Sequence, residues 1–130
     1  MKLIKTNLND TTVKIGIGCE IDDRTGNLCG ELEIDLEYAS RFKDECLELI
    51  KEHDQKIILS LAHVPYIDSE GLWAIFEIYK KLNFQNKVLV IAGPSSNVMR
   101  VLKIIKLDSR IKIFDTEQQA LNFLEGLKNF

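Results

Sequence analysis

Two short apolar runs, each followed by a turn and an amphipathic segment, define the fold class of this chain. The first run is Lys56 to Leu61, and the second is Lys87 to Ala92, which stops at Gly93-Pro94. Continuous apolar runs of this length are typical of strands buried in a sheet. Strands that alternate with helices lie parallel and are joined by right-handed crossovers. The pattern, with a short last strand at Ile111 to Phe114, therefore predicts an α/β fold.

The segments after these strands have apolar residues at helical spacing. One helix begins at Ser69, the next is capped by Ser95 or Ser96, and the last begins at Thr116 with Gln119 in a capping box. The residues predicted to face inward on these helices are Leu72, Ile75, Phe76, Tyr79, Leu82, Val98, Val101, Leu102, Ile105, Ala120, Phe123, Leu124 and Leu127.

The first third of the chain is β-rich. Lys2 to Leu8 and Thr12 to Cys19 alternate as strands do, and Leu28 to Ile34 is predicted as a further strand. A helix capped by Asp35 follows and extends to about His53. Its predicted inward face consists of Leu36, Ala39, Phe42, Cys46, Leu49 and Ile50.

Composition excludes several classes of protein. A chain of 130 residues with 45% hydrophobic content is expected to fold as one domain, residues 1–130, without a disulfide or a metal. The net charge of −3 argues against nucleic acid as a partner, because phosphate contacts need clustered Lys and Arg. No stretch suits a membrane span or a secretory signal. Three widely spaced cysteines indicate a reducing, cytoplasmic location.

The turn before the second predicted helix places Ser69 where backbone N–H groups are free and the helix dipole is positive. A phosphate there would add roughly −1.5 to −2 charges. Ser69 therefore has two interpretations, a phosphorylation switch and a simple helix N-cap. A magnesium-dependent phosphoacceptor needs further acids near the end of the first strand, and no acidic pair ends the first parallel strand here, so we expect Asp68 to accept hydrogen bonds from N–H groups of the turn.

Signatures of catalysis are sparse. Gly16-Ile17-Gly18 lacks the third glycine of the dinucleotide motif and falls within a strand. The cysteine and histidine spacing matches no zinc pattern, so neither a cofactor nor a metal is expected. A small hydrolase using Ser69 and His63 remains an alternative, although Ser69 does not stand in a Gly-x-Ser-x-Gly elbow.

Taken in order, these segments resemble the STAS domain family, and within it the bacterial anti-sigma factor antagonists. Gly30-Glu31-Leu32-Glu33 is similar to the family's Gly-Glu-Leu-Asp, and Asp68-Ser69-Glu70-Gly71-Leu72 to its Asp-Ser-Ser-Gly-Leu loop. Val88 to Ser95 resembles the next strand and loop, and Ile113-Phe114-Asp115 precedes the usual last helix. The resemblance implies a STAS-like mixed β-sheet of about five to six strands packed by about four helices.

The resemblance also implies a non-enzymatic regulator of transcription. In that family the unmodified antagonist binds an anti-sigma factor, often a serine kinase, and so frees the sigma factor. The kinase phosphorylates the serine after the aspartate, here Ser69, the complex separates, and a phosphatase restores the binding form. A constitutive STAS scaffold, in which Ser69 is never modified, is the alternative.

The predicted partner surface runs from His63 to Trp73 and continues over the loop and helix start at Gly93 to Arg100. Glu70 replaces the second Ser or Thr of the family motif, and Trp73 replaces a small residue. Trp73 is predicted either as an exposed interface anchor or as a half-buried residue at the edge of the apolar stripe. The predicted partner-binding residues are His63, Asp68, Ser69, Glu70, Gly71, Trp73, Ser95, Ser96 and Met99.

Overall fold

The computed structural model describes residues 1–127, which form one mixed sheet, a small hairpin and four α-helices. The elements in chain order are β1 (Lys2–Asn7), β2 (Thr12–Gly18), β3 (Glu20–Ile21), β4 (Leu28–Cys29), α1 (Ala39–Leu49), β5 (Lys56–Ser60), α2 (Ser69–Phe84), β6 (Val88–Ala92), α3 (Ser96–Ile104), a 3₁₀ turn (Leu107–Ser109), β7 (Lys112–Phe114) and α4 (Glu117–Glu125).

The main sheet has the strand order β1-β2-β5-β6-β7. Strand β1 is antiparallel to β2, and every other neighbouring pair is parallel. The two apolar runs of the sequence form β5 and β6, which lie at the centre of the sheet and are almost wholly buried. The predicted α/β class and the mixed sheet with four helices are therefore confirmed. None of the helices within residues 1–127 is both long enough and apolar enough to cross a bilayer.

Hydrophobic clusters cover both faces of the sheet. On one face, Ile57 and Leu59 of β5 pack with apolar side chains of α1, α2 and α3. On the other face, Ile58 of β5 packs with Ala120 and Leu124 of α4. Since side chains of a strand alternate between faces, this division follows directly from the continuous apolar sequence of β5.

The segment predicted as one strand from Leu28 to Ile34 is broken. Only Leu28–Cys29 pairs as β4, because Gly30 adopts a φ of +73°, a conformation that ends the extended run. Beyond it, Ile34 forms an isolated bridge with Ile67, beside the loop that leads into α2. The chain thus pairs with the loop that leads into α2, where the candidate site lies.

The first helix begins later and ends earlier than predicted, at Ala39 and Leu49. Asp35 accepts a hydrogen bond from the backbone N–H of Glu37 at 3.0 Å and closes a separate turn before the helix. Leu36 in this turn is 75% exposed, so its predicted inward position is wrong. Cys46 is buried as predicted, and Cys19 and Cys29 are half-buried.

The pair of glycines in β2 has a packing role. A Cβ atom on Gly16 would lie 2.8 Å from the side chain of Leu28, and one on Gly18 would lie 3.4 Å from it. Because Gly16 and Gly18 carry no side chain, the hairpin of β3 and β4 can pack closely against β2. This confirms the interpretation of Gly16-Ile17-Gly18 as part of a strand.

Candidate functional site

The N terminus of α2 carries Ser69 on the protein surface. Asp68 is the N-cap, and its Oδ1 accepts a hydrogen bond from the backbone N–H of Gly71 at 3.0 Å. Its Oδ2 accepts a second one from the N–H of Leu36 at 3.2 Å. The predicted acceptor role of Asp68 is confirmed, whereas the N-cap role considered for Ser69 is wrong. Ser69 is the exposed first residue of the helix, followed by the exposed Glu70.

Gly71 lies beneath this turn rather than at the surface. It is buried, and a Cβ atom there would overlap the carbonyl oxygen of Ile34 and the side chain of Ile67. Only glycine permits this close approach of helix and strand. Gly71 therefore positions the first turn of α2 and offers no side chain for a partner to contact.

The loop before Ser69 is held from two directions. On one side, the N–H of Ile34 donates to the carbonyl oxygen of Tyr66 at 3.3 Å, and the N–H of Asp68 donates to that of Ile34 at 3.3 Å. On the other, the hydroxyl of Ser95, the N-cap of α3, donates to the carbonyl oxygen of Pro65 at 3.1 Å. These bonds fix the backbone position of the loop that leads to Ser69.

A groove of about 400 Å³ opens beside Ser69. Its first wall is the face of α2 that carries Leu72, Trp73 and Phe76. Trp73 is 42% exposed, and the Nζ atom of Lys43 on α1 lies 5.2 Å from the centre of its ring, a cation–π contact. Trp73 is therefore half-buried at the edge of the apolar stripe and still accessible to a partner, which is compatible with both of its predictions.

The second wall of the groove is the chain that leaves α3. It carries the apolar side chain of Ile105 and the cationic side chains of Lys106 and Arg110. Ile105 is 48% exposed, although the sequence predicted it to face inward. Helix α3 ends at Ile104, and Lys106 adopts a φ of +61°, so the chain turns before Ile105 reaches the core.

The other predicted site residues lie elsewhere. His63 lines a separate cleft with Ser60 and Glu117. Within residues 1–127 no hydrogen bond joins Ser69 and His63, and they line different cavities, so the structure does not assemble the serine–histidine pair of the hydrolase alternative.

Ser96 and Met99 line a second groove with Arg100 and Lys103. Neither Ser96 nor Met99 lines the groove beside Ser69. Ser96 is exposed and Met99 is half-buried, while Ser95 acts mainly as a cap.

Sequence reasoning missed several exposed residues near Ser69. Leu36 was assigned to the core, and Lys106 and Arg110 were not assigned to the site. Ile104, which is 71% exposed, was also missed, and it lines the second groove with Ser96 and Met99. One signal was available in the sequence: the run Lys103-Ile104-Ile105-Lys106 places two isoleucines between two lysines at a helix end. Such a run is typical of an amphipathic surface rather than of a core.

The fold and site define a class of molecule: a single α/β domain with a serine on its surface at a helix start, beside an apolar groove. The sequence model described as the STAS domain matches residues 28–120. The chain belongs to the STAS domain family.

Relatives agree with this assignment. A Thermotoga neapolitana protein, named as a candidate anti-sigma factor antagonist, is 35% identical over 95 residues, which cover 72% of this chain and 84% of that protein. The anti-sigma F factor antagonist of Paenibacillus polymyxa is 30% identical over 99 residues, covering 75% of this chain and 83% of its own.

Solved structures share the fold. SpoIIAA, an anti-sigma factor antagonist, superimposes in its unphosphorylated form with a TM-score of 0.71 and 17% identity, covering 98% of this chain and 100% of that one. SpoIIAA of Bacillus in its phosphorylated form gives a TM-score of 0.64 and 14% identity, covering 95% of this chain and 99% of that one.

Proposed function

We propose that this protein is an anti-sigma factor antagonist controlled by phosphorylation of Ser69. In its unmodified form it binds an anti-sigma factor of the serine-kinase type and frees the sigma factor. The kinase transfers a phosphate to Ser69, the complex separates, and a phosphatase restores the binding form. The proposal places the protein in the bacterial cytoplasm. The observation that carries it is the exposed Ser69 hydroxyl at the first position of α2.

The position of Ser69 allows a phosphate without unfolding the protein. A dianion at the first turn of a helix is stabilised by free backbone N–H groups and by the helix dipole. Ser69 is exposed, and its turn is already held by the side chain of Asp68. The phosphorylated protein is therefore expected to keep its fold.

The same phosphate weakens the complex. Against a desolvated or acidic partner surface, a dianion costs free energy through repulsion and lost hydration. A loss of about 3 kcal/mol weakens binding by more than a hundredfold. The solved relative that exists in both phosphorylated and unphosphorylated forms supports a mechanism in which one fold serves both states.

The surface around Ser69 suits a protein partner. Two large apolar side chains, Leu36 and Trp73, are exposed there. The backbone N–H of Leu36 bonds to the same Asp68 that caps α2, which places it close to the serine turn. Exposed tryptophan is a frequent anchor in protein interfaces, and neighbouring exposed apolar side chains mark surfaces that bind other proteins.

A constitutive scaffold is the second candidate, and Glu70 favours it. Its exposed carboxylate stands next to Ser69 and gives the helix start a permanent negative charge. In that case the partner would tolerate negative charge at this turn, and a phosphate would have little effect on binding.

Incubation with the kinase-type anti-sigma factor of the same genome and ATP, followed by mass spectrometry, separates the two candidates. The proposal predicts one phosphate on the protein, absent from Ser69→Ala. Ser96→Ala is the matched control, because Ser96 is also the exposed first residue of a capped helix. A phosphate retained in Ser69→Ala, or no modification by any genomically adjacent kinase, would contradict the switch and favour the scaffold.

A further inference from the structure

We infer that the groove beside Ser69 receives an apolar segment of the partner that also carries carboxylates, and that Lys106 and Arg110 pair with those carboxylates. The inference rests on the proposed function in one respect, that the partner is the anti-sigma factor. What goes beyond the proposed function is the chemistry of the partner's segment and the assignment of Lys106 and Arg110 as the residues that bind it.

The groove has the shape and lining of a peptide site. Trp73 and Phe76 on one wall face Ile105 on the other, and Trp73 and Ile105 are each nearly half exposed. When a second apolar surface displaces water from apolar side chains that line a concave surface, the free energy of the complex is lowered. A groove along one side of a helix suits an amphipathic segment laid into it.

Charge selects the occupant. Within residues 1–127, neither Lys106 nor Arg110 forms an ion pair, and both line the groove. The acid of the same turn, Asp108, lines a different groove, together with Met99 and Lys103 of α3. Residues 100–112 contain five basic residues and one acid, in a chain whose net charge is −3. Cations left unpaired along an apolar groove are complementary to an acidic ligand.

A protein segment fits this surface better than an anionic membrane does. The acids Asp68 and Glu70 stand at the N terminus of α2, beside the same groove. A flat anionic bilayer would meet these carboxylates together with the cations. A peptide in the groove can direct its carboxylates to the Lys106 wall alone, away from the acids.

The arrangement also explains how a phosphate acts at this site. Ser69 lines the groove together with Lys106 and Arg110. A phosphate on Ser69 is expected to attract these cations, because guanidinium and ammonium groups bind phosphate strongly. It then competes with the partner's carboxylates for the same two side chains.

Trp73 provides a direct readout, since it is the single tryptophan of the chain and lines the groove. The probe is a synthetic amphipathic peptide of Glu and Leu at helical spacing without aromatic residues. Adding this peptide to the protein should change the fluorescence of Trp73 until the change reaches a plateau. The same peptide with Lys in place of Glu should bind roughly tenfold more weakly or not at all.

The variant that tests the cations is Lys106→Gly/Arg110→Ala. Glycine suits position 106 because the backbone there has a φ of +61°. We expect this variant to bind the acidic peptide roughly tenfold more weakly and with less dependence on salt. Lys2→Ala/Arg24→Ala removes the same charge from exposed positions outside the groove and should bind as the wild type does. Circular dichroism establishes that each variant is folded.

Three results would overturn the inference. These are equal affinity for the acidic and basic peptides, equal affinity of the Lys106/Arg110 variant and the wild type, and a fluorescence change with phosphatidylglycerol vesicles but not with the peptide. A parallel titration with the anti-sigma factor separates this inference from the proposed function. If the factor binds wild type and variant equally, the groove inference fails and the proposed function stands. If no anti-sigma factor binds but the acidic peptide discriminates as expected, the proposed function fails and the groove inference stands.

Discussion

Asp68 Oδ1 lies 3.0 Å from the backbone N of Gly71, so the residue before the candidate phosphorylation site caps the helix on which that site stands. The other carboxylate oxygen accepts from the N–H of Leu36 at 3.2 Å. One side chain thus fixes the helix start and ties it to the segment before α1. This arrangement keeps the Ser69 hydroxyl exposed while its backbone stays in place.

Asp68→Ala is expected to lower the free energy of unfolding by about 1 kcal/mol, the usual value of an N-cap, because two N–H groups lose their acceptor. Urea denaturation measures the change. Asp68→Asn keeps an acceptor oxygen and should recover most of the stability. If Asp68→Ala has the same urea midpoint of unfolding as the wild type, the cap does not stabilise this turn.

Gly71→Ala is expected to destabilise the protein by about 2 kcal/mol, since the added methyl group overlaps the backbone of Ile34. It should also reduce partner binding, because the first turn of α2 must move. Gly126→Ala is the matched control: Gly126 has a φ of −76°, and a Cβ atom there meets only ordinary contacts. Equal unfolding midpoints of the two variants would show that α2 does not approach Ile34 closely.

Asp54 makes stability depend on pH. Burial acts to raise the pKa of this carboxyl, but hydrogen bonds from Lys5 Nζ at 2.7 Å and from Lys51 N–H at 2.8 Å outweigh it and hold the pKa below its ordinary value. His53 Nε2 lies 3.4 Å away and acts in the same direction when protonated.

A carboxyl whose pKa is lower in the folded state stabilises the fold above its unfolded pKa, and this stability disappears as pH falls through the folded value. Asp54→Asn should therefore be less stable than wild type at neutral pH, by about 2 kcal/mol. The difference should shrink below about pH 4. Urea titrations of both proteins across this range test it, and a difference independent of pH would contradict the role given to Asp54.

Cys46 is expected to resist thiol reagents in the folded protein. Burial raises the pKa of this thiol to about 12, so almost no reactive thiolate is present at neutral pH. Labelling with a chromogenic disulfide should proceed at Cys46 only on unfolding. Cys46→Ala should therefore leave the number of thiols that react in the native state unchanged, and a lower number would place Cys46 at the surface.

The sequence encodes the centre of the fold clearly. The runs that form β5 and β6 are continuous and apolar because these strands are covered on both faces. The strands can therefore be predicted from the sequence without knowing which elements pack against them. The hydroxyl oxygen of Thr116 accepts from the N–H of Gln119 at 3.1 Å, so the predicted N-cap of α4 is confirmed, because a cap depends on local chemistry alone.

The rest of the candidate site depends on contacts that are distant in sequence. Leu36 has helical spacing with the α1 core, yet its N–H is taken by Asp68, 32 residues away, and its side chain stays outside. Ile105 has the spacing of the α3 core, but the helix ends one residue before it. Ile105 lines the groove beside Ser69 because the helical pattern of α3 fails there, so periodicity could not reveal this wall of the groove.

The most direct test is a calorimetric titration of the anti-sigma factor with unmodified protein, Ser69→Ala and Ser69→Asp. Ser40→Asp serves as a control, because it adds the same charge at an exposed position near the start of α1. We predict that Ser69→Asp binds much more weakly with an unchanged melting temperature, while Ser69→Ala and Ser40→Asp bind as the unmodified protein does. Equal affinity of Ser69→Asp and Ser69→Ala would contradict the claim that negative charge at Ser69 separates the complex.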